Sequence, residues 1–253
     1  NYIFHPKTYL ERLMEDRDRT KATTLLIDEA HNLIDRARDM YSAELSLRLI
    51  DDVIFKDKAV KRAAKAFRRV FQELTNTAPL PLADLPDVFH NALDDLEEAM
   101  AKVLARATEE PPEEWMNLYF AILDWQNRNL YYNQRRFTYF VPENGTLSIL
   151  CLDPSQVLWE RKNLFGGVVY FSATLSPMGY HKDILGGGEE AHHLMLPSPF
   201  DPDHLLVLHP PSVSTKYRDR EKTLPLVQDY LRTFSERSEG NLIHFFPSYA
   251  CLL

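Results

Sequence analysis

Leu25-Leu-Ile-Asp-Glu-Ala-His-Asn-Leu-Ile34 is the stretch on which the fold class turns: three apolar residues run into two adjacent acids, and a histidine follows two positions later. Leu25, Leu26 and Ile27 read as a short buried strand of a parallel sheet. The carboxyl end of such a strand is where open α/β sheets place their ligands. Asp28 and Glu29 then stand at a crevice. In phosphoryl-transfer ATPases a strand-end aspartate holds the magnesium that bridges the terminal phosphates, and a neighbouring acid positions the attacking water. Taken alone, the same acids also suit a solvated strand end or a helix N-cap.

Two further segments bear on that choice. Gly167-Val-Val-Tyr-Phe-Ser-Ala-Thr-Leu175 is a second apolar strand ending in hydroxyls, and Gly240-Asn-Leu-Ile-His-Phe-Phe-Pro-Ser-Tyr249 is a third ending in a Pro-Ser turn. In order and type the three segments resemble the superfamily 2 helicases of the XPD/DinG (Rad3-related) family. Asp28-Glu29-Ala30-His31 matches that family's DEAH box. Ser172-Ala173-Thr174, followed by Leu175-Ser176-Pro177, matches its motif III, and Phe245-Phe246-Pro247-Ser248-Tyr249 matches motif IV. Asn1-Tyr2, Ser198-Pro199-Phe200 and Ser214-Thr215-Lys216-Tyr217 ahead of Arg220 are intermediate landmarks, whereas residues 41–140 match by position more than by motif.

The resemblance implies an α/β fold of RecA-like, P-loop NTPase-type parallel-sheet motor domains with a mainly helical, arch-like insertion. It implies ATP hydrolysis coupled to translocation on single-stranded DNA and duplex unwinding, 5′ to 3′, in DNA repair or replication stress. Carried over to this sequence, Asp28 binds magnesium through water, and Glu29 orients or deprotonates the hydrolytic water. His31 and the hydroxyls of Ser172 and Thr174 link nucleotide state to interdomain closure. Ser248 and Tyr249 are candidates for DNA contact, though a tyrosine there also suits packing on the next helix. The implied partner is single-stranded or forked DNA; the oligomeric state is left open, with a monomer as the expectation.

No G-x-x-x-x-G-K-[ST] occurs, so the loop that would cradle the phosphates is not in this sequence. Gly186-Gly187-Gly188 is no substitute, because Glu189 and Glu190 follow where a phosphate wants lysine and a hydroxyl; a flexible surface turn is expected there. The family's last motifs, with the arginine that reaches the nucleotide from the second motor domain, would lie beyond Leu253. An internal fragment is therefore expected, starting just before motif II, stopping after motif IV and inactive towards ATP by itself. The competing reading is a non-catalytic nucleic-acid-binding or protein-interaction module.

With 45% hydrophobic and 26% charged residues over 253 positions, the chain has the composition of a folded protein of one large or two smaller domains. No apolar run reaches membrane-span length, and His5 to Arg19 lacks a signal-peptide core, which points to no membrane and a cytoplasmic location. The two cysteines, Cys151 and Cys251, sit in apolar surroundings and are expected to be buried free thiols of a reducing compartment. Relatives commonly bind a 4Fe-4S cluster through four cysteines between the Walker A region and the DEAH box; its ligands would fall outside this fragment. Adjacent His192 and His193 do not share one face, so no metal site is read there. Asn144-Gly145 separates Phe137–Val141 from Thr146–Leu150 and reads as a hairpin turn, not a glycan site.

The net charge of −8 runs against nucleic-acid binding, but its distribution is uneven. Residues 56–71 hold Lys56, Lys58, Lys61, Arg62, Lys65, Arg68 and Arg69 against one acid, with apolar residues at helical spacing on the other face. That basic face is either solvated or tracks phosphates, with Lys61, Arg62 and Lys65 as the contacts. Between Asn129 and Phe140, Arg135 and Arg136 are interleaved with Tyr131, Tyr132, Phe137 and Tyr139. This is either a stacking platform for single strands or a strand with an aromatic core face.

Four segments follow. Residues 1–40 are the first part of the first RecA-like domain, with a helix, a turn, the first strand and the DEAH-led helix. Residues 41–140 are the arch-like insertion: the basic helix, a Pro-rich break at Pro79, Pro81 and Pro86, an acidic helix through Asp94 to Arg106, a break at Pro111-Pro112, and an aromatic helix around Trp115 to Asn127. Residues 141–196 return to the first domain with motif III. Residues 197–253 begin the second RecA-like domain, which is incomplete.

Overall fold

A computed structural model of the chain describes residues 2–7, 16–76, 80–142, 145–204, 206–207, 209–210, 213–214 and 216–246. It divides into two compact units, residues 1–193 and 194–253.

Among the described residues the first unit contains two sheets. In one, β1 (Thr24–Ile27) and β6 (Gly167–Tyr170) pair in parallel, Leu26 opposite Val169 and Ile27 opposite Tyr170. The ladder runs on past both strands: the Phe171 amide donates to Ile27 O at 3.0 Å, and the Ala30 amide donates to Phe171 O at 3.1 Å. Helix α2 (His31–Tyr41) follows β1 and turns Leu33, Ile34 and Ala37 into a core with Phe4, Ala30, Leu158 and Leu185. That core covers one face of the two strands. Leu25 is accordingly buried, but Leu26, expected to be buried too, is 71% exposed, and Val169 and Phe171 share its open face.

The second sheet is antiparallel, in the order β2 (Ala43–Ser46), β5 (Thr146–Cys151), β4 (Phe137–Val141), β3 (Leu80–Leu82). The β4–β5 hairpin is the one expected from Asn-Gly, with Gly145 in its turn at φ +71°; Asn144 lies outside the described residues. Strands β2 and β3 were not expected. Pro81 sits in β3, which among the described residues pairs only with β4 and is an edge strand, the place where a residue without an amide hydrogen is tolerated. What reads as a Pro-rich break is therefore partly a strand. The expected boundary after residue 140 falls inside β4, so the helical segment and the hairpin share one sheet.

Three helices share one core with that sheet. Helix α4 (Lys58–Thr75; a short α3, Leu47–Asp51, precedes it) is capped by Asp57, whose carboxylate accepts the Ala59 and Val60 amides at 2.8 and 3.1 Å. It buries Val60, Ala64, Phe67 and Phe71, and its bases lie on the opposite side, as the periodicity predicts. Helix α5 (Asp87–Leu104) starts directly after Pro86, well ahead of the expected Asp94. Helix α6 (Glu113–Asn129) buries Trp115, Leu118, Ile122 and Trp125 against Phe89, Tyr139, Leu147 and Ile149. Arg128, 5% exposed, ties α6 to the end of α2: its Nε donates to Met40 O at 2.7 Å, and its Nη1 pairs with Asp124 at 2.9 Å. Cys151 is a buried free thiol, pushed up to about 12 by burial and by the Asp153 carboxylate. Cys251 lies outside the described residues.

Helix α7 (Ser155–Lys162) leads into β6, and α8 (Met178–Ile184) closes on Gly186. The glycine run is not the loose turn expected of it. Gly186 has φ +70°, and a Cβ there would stand 2.7 Å from Ser155 O and from the Trp159 amide nitrogen, so only glycine lets the end of α8 lie against α7.

A short helix α1 (Arg17–Lys21) precedes β1 in the first unit; in the second unit, 3₁₀ turns at Pro202–His204 and Tyr217–Asp219 precede helix α9 (Arg220–Arg237). The expected third strand is not formed over 240–246. Phe245 is 91% exposed there, and the described residues of this unit offer no strand for its amides to pair with.

The aromatic run after α6 is absorbed by the fold. Tyr132 stacks on Tyr139 at 4.1 Å and 14°, and its hydroxyl donates to Ala83 O; Tyr131 meets Tyr41 edge-on at 5.0 Å. Arg136 bonds Asp153 and Ser155. Tyr132→Ala should therefore destabilise the protein by about 3 kcal/mol, the usual cost of deleting a packed aromatic ring, whereas Arg135→Ala at an exposed position should stay within about 0.5 kcal/mol. Urea unfolding of the two variants checks this; equal stabilities would place Tyr132 outside the core.

Candidate active site

The parallel pairing of β1 and β6 brings two chain segments to one place. After Ile27 the backbone turns sharply: the Glu29 amide donates to Asp28 Oδ1 at 2.7 Å, and Glu29 itself has φ +47°. A left-handed residue with a Cβ costs about 1–2 kcal/mol. The turn closes when the Asn32 amide reaches Glu29 O at 2.9 Å, and α2 begins. Ala30 is fully buried under this turn, which leaves no room for a larger side chain. Asp28 and Glu29 remain exposed at the end of the strand.

Directly beside them the chain leaves β6 through Phe171 into Ser172-Ala173-Thr174. Ser172 Oγ donates to Glu29 Oε2 at 2.9 Å and lies 2.8 Å from His31 Nδ1. Thr174 Oγ1 lies 3.1 Å from the same Nδ1 and 3.3 Å from Ser172 Oγ, and the Thr174 amide donates to Ser172 Oγ at 3.2 Å. His31 Nδ1 is also 3.2 Å from Glu29 Oε2. Since the one Ser172 hydroxyl hydrogen goes to the carboxylate, hydrogen accounting assigns a proton to Nδ1. Glu29, His31, Ser172 and Thr174 thus form one hydrogen-bonded cluster across 143 residues of sequence.

A groove of about 290 Å³ adjoins the acids, with Leu26, Ile27, Asp28, Glu29, Asn32 and Arg36 along it. Asn32 and Arg36 stand one helical turn apart on α2, and the sequence reading did not single them out. Their i, i+4 spacing behind the acids was the available signal. Among the described residues no group of three or more His, Cys, Asp or Glu is placed to hold a metal by itself. A magnesium ion held through phosphates asks for less, because one or two carboxylates with water and phosphate oxygens complete its octahedron. Asp28 and Glu29 fit that donor set.

The other candidate residues lie apart from this cluster. Lys61, Arg62 and Lys65 are exposed on α4, while their neighbours Arg68 and Arg69 pair with Asp51 and Glu73. Both readings of the basic face suit that arrangement. Of the Tyr/Arg run, Tyr131, Tyr132 and Arg136 make the packing contacts described above and Arg135 is exposed, which favours the aromatic-core reading over a stacking platform. Ser248 and Tyr249 lie outside the described residues.

No protein-family model and no curated protein matches the chain. Solved structures do. The structure of S. tokodaii Xpd4 is similar with a TM-score of 0.55 and 17% identity, over 99% of this chain and 53% of that one. An apo XPD structure is similar with a TM-score of 0.50 and 19% identity, over 96% of this chain and 51% of that one. The chain spans about half the length of the structures it matches. At these identities the likeness is one of fold: this α/β chain is folded like about half of each of those two structures.

Proposed function

We propose that this chain is the DEAH-bearing part of an ATP-dependent DNA helicase, in which ATP hydrolysis drives translocation on single-stranded DNA and duplex unwinding. The observation that carries this reading is the joining of Glu29 and His31, beside Asp28, to Ser172 and Thr174 at the carboxyl ends of two paired parallel strands. When bound, magnesium supplies the positive charge that offsets the terminal phosphates of ATP. Asp28 is the residue to hold it, through water. Glu29 orients the attacking water and takes its proton. His31, Ser172 and Thr174 form a link of hydroxyls and imidazole that exchanges hydrogen-bond partners at little cost as a cleft opens and closes.

The resemblance supports further points of this reading: preference for DNA, movement 5′ to 3′, work in repair or replication stress, and a 4Fe-4S cluster held elsewhere in the full-length protein; a cytoplasmic location is proposed from the apolar pattern of the sequence. The division into residues 1–40, 41–140, 141–196 and 197–253 belongs with them. One observation favours a second reading for these 253 residues by themselves. Without a G-x-x-x-x-G-K-[ST] segment they would bind nucleic acid or protein and not turn over ATP.

In the full-length protein, Glu29→Gln should leave nucleotide binding largely intact and lower ATP turnover by about two orders of magnitude, the loss expected when a positioned base is removed. Near-normal turnover in a steady-state ATPase assay would remove Glu29 from the chemistry.

For the α4 face, reversing Lys61, Arg62 and Lys65 to Glu should weaken single-strand binding alike across sequences. It should also flatten the salt dependence, because fewer counterions are released on association. A fluorescence titration at several salt concentrations tests this. Unchanged affinity in a folded variant would make α4 a solvated surface.

A further inference from the structure

We infer that Arg128 is a positioning residue for Asp28 and Glu29, which fixes from the far end of α2 the place where that helix begins and hence the turn that carries the two acids. Helix α2 is weakly secured at its start. Ala30, its N-cap, has no side chain able to accept a hydrogen bond, and the first turn, His31-Asn32-Leu33, holds no acid to meet the helix dipole. The residue before the cap, Glu29, is held at φ +47°, a conformation that persists only where its surroundings enforce it. The bond from the Ala30 amide to Phe171 O and the burial of Ala30, Leu33 and Ile34 hold that end.

The far end is clasped by side chains. Arg128 Nε donates to Met40 O at 2.7 Å, the Tyr41 hydroxyl donates to Phe4 O at 2.9 Å, and Ser42 Oγ donates to Arg38 O at 2.7 Å. Met40 O is one of the carbonyls that a helix leaves without an internal partner, and a cation there also meets the negative end of the dipole. Arg128 comes to it from 88 residues away. Its Nη1 pairs with Asp124 at 2.9 Å, so one planar guanidinium spans the carbonyl and the carboxylate, a geometry that an ammonium does not reproduce. Asp124 is also paired with Lys7, in the same segment as Phe4. Lys7, Asp124, Arg128, the last turn of α2 and Phe4 thus close a ring of contacts. An eleven-residue helix is a rod of roughly 16 Å, so a shift at Met40 is carried to Ala30 and the acids before it.

The test is amide hydrogen exchange on the full-length protein without nucleotide. Arg128→Met fills much of the same space and leaves Asp124 with Lys7, so no carboxylate is stranded. The Asn32 and Leu33 amides, which bond Glu29 O and Ala30 O, should exchange about 10-fold faster, the factor that corresponds to one lost charge-assisted hydrogen bond, while the amides of α4 keep the parent rate. Acceleration confined to residues 40–42 would make Arg128 a local clasp, and equal acceleration throughout α4 would make it a general support of the core; either overturns the inference. Should a thermal melt show Arg128→Met unfolded, Arg128→Lys, which keeps the charge but not the fork, carries the same expectation and the same refutation. The consequence for turnover rests on the reading of the two acids given above: Arg128→Met should lower kcat roughly 10- to 100-fold, the cost of about 1 Å of misplacement. A parent-level kcat, with Glu29→Gln inactive, would overturn the positioning role alone. Retained turnover in Glu29→Gln would refute the reading beneath it, and the exchange rates then decide whether Arg128 sets the start of α2.

Discussion

The parallel ladder between β1 and β6 is the constraint on which the site depends. Residues far apart in sequence become neighbours because backbone amides pair in a fixed register, and that register then runs past both strands through Phe171 to Ala30. A slip of one position would turn every side chain of the strand to the other face and separate Glu29 from Ser172. The entry to the ladder is equally tight. The Gly166 amide donates to Thr23 O at 3.0 Å, and a Cβ on Gly166 would stand 2.0 Å from Lys21 O, so a side chain there would force the strands apart.

Helix α2 carries that constraint into the rest of the first unit. Its first turn holds His31 in the cluster, and its last turn is gripped by the helical layer through the buried Arg128. A guanidinium this deep is costly unless paired and hydrogen-bonded. Here it has the Asp124 carboxylate and the Met40 carbonyl. The Tyr41 hydroxyl reaches Phe4 O at 2.9 Å, and the Cys151 amide reaches Ser42 Oγ at 3.0 Å, so the segment before the strand and the antiparallel sheet both meet the same helix end. The acids, the helical layer and the hairpin sheet are thereby fixed to one another through a single eleven-residue helix.

The two halves of the candidate site were legible in the sequence because each is local: two acids and a histidine follow one apolar run, and two hydroxyls follow another. The basic face of α4 and the Asn-Gly hairpin were legible for the same reason, through helical period and turn chemistry. What stayed hidden depended on distant partners. Strand β2 has four residues and no turn signal between it and α2, and β3 is masked by prolines that only its place at a sheet edge makes tolerable. Leu26 looks like a core residue, yet its exposure is set by what lies above the sheet, which no local pattern records. Tyr131 and Tyr132 have a composition suited equally to bases and to other rings; Tyr41 and Tyr139 occupy them, and neither contact is visible from spacing.

The central claim is that the β1–β6 crevice is where magnesium and the terminal phosphate of ATP meet protein. A crystal structure of the full-length protein with magnesium and a non-hydrolysable ATP analogue tests it most directly. The account predicts a metal ion whose water ligands contact Asp28, with the terminal phosphate facing Glu29. A nucleotide bound with its metal remote from both acids would contradict it.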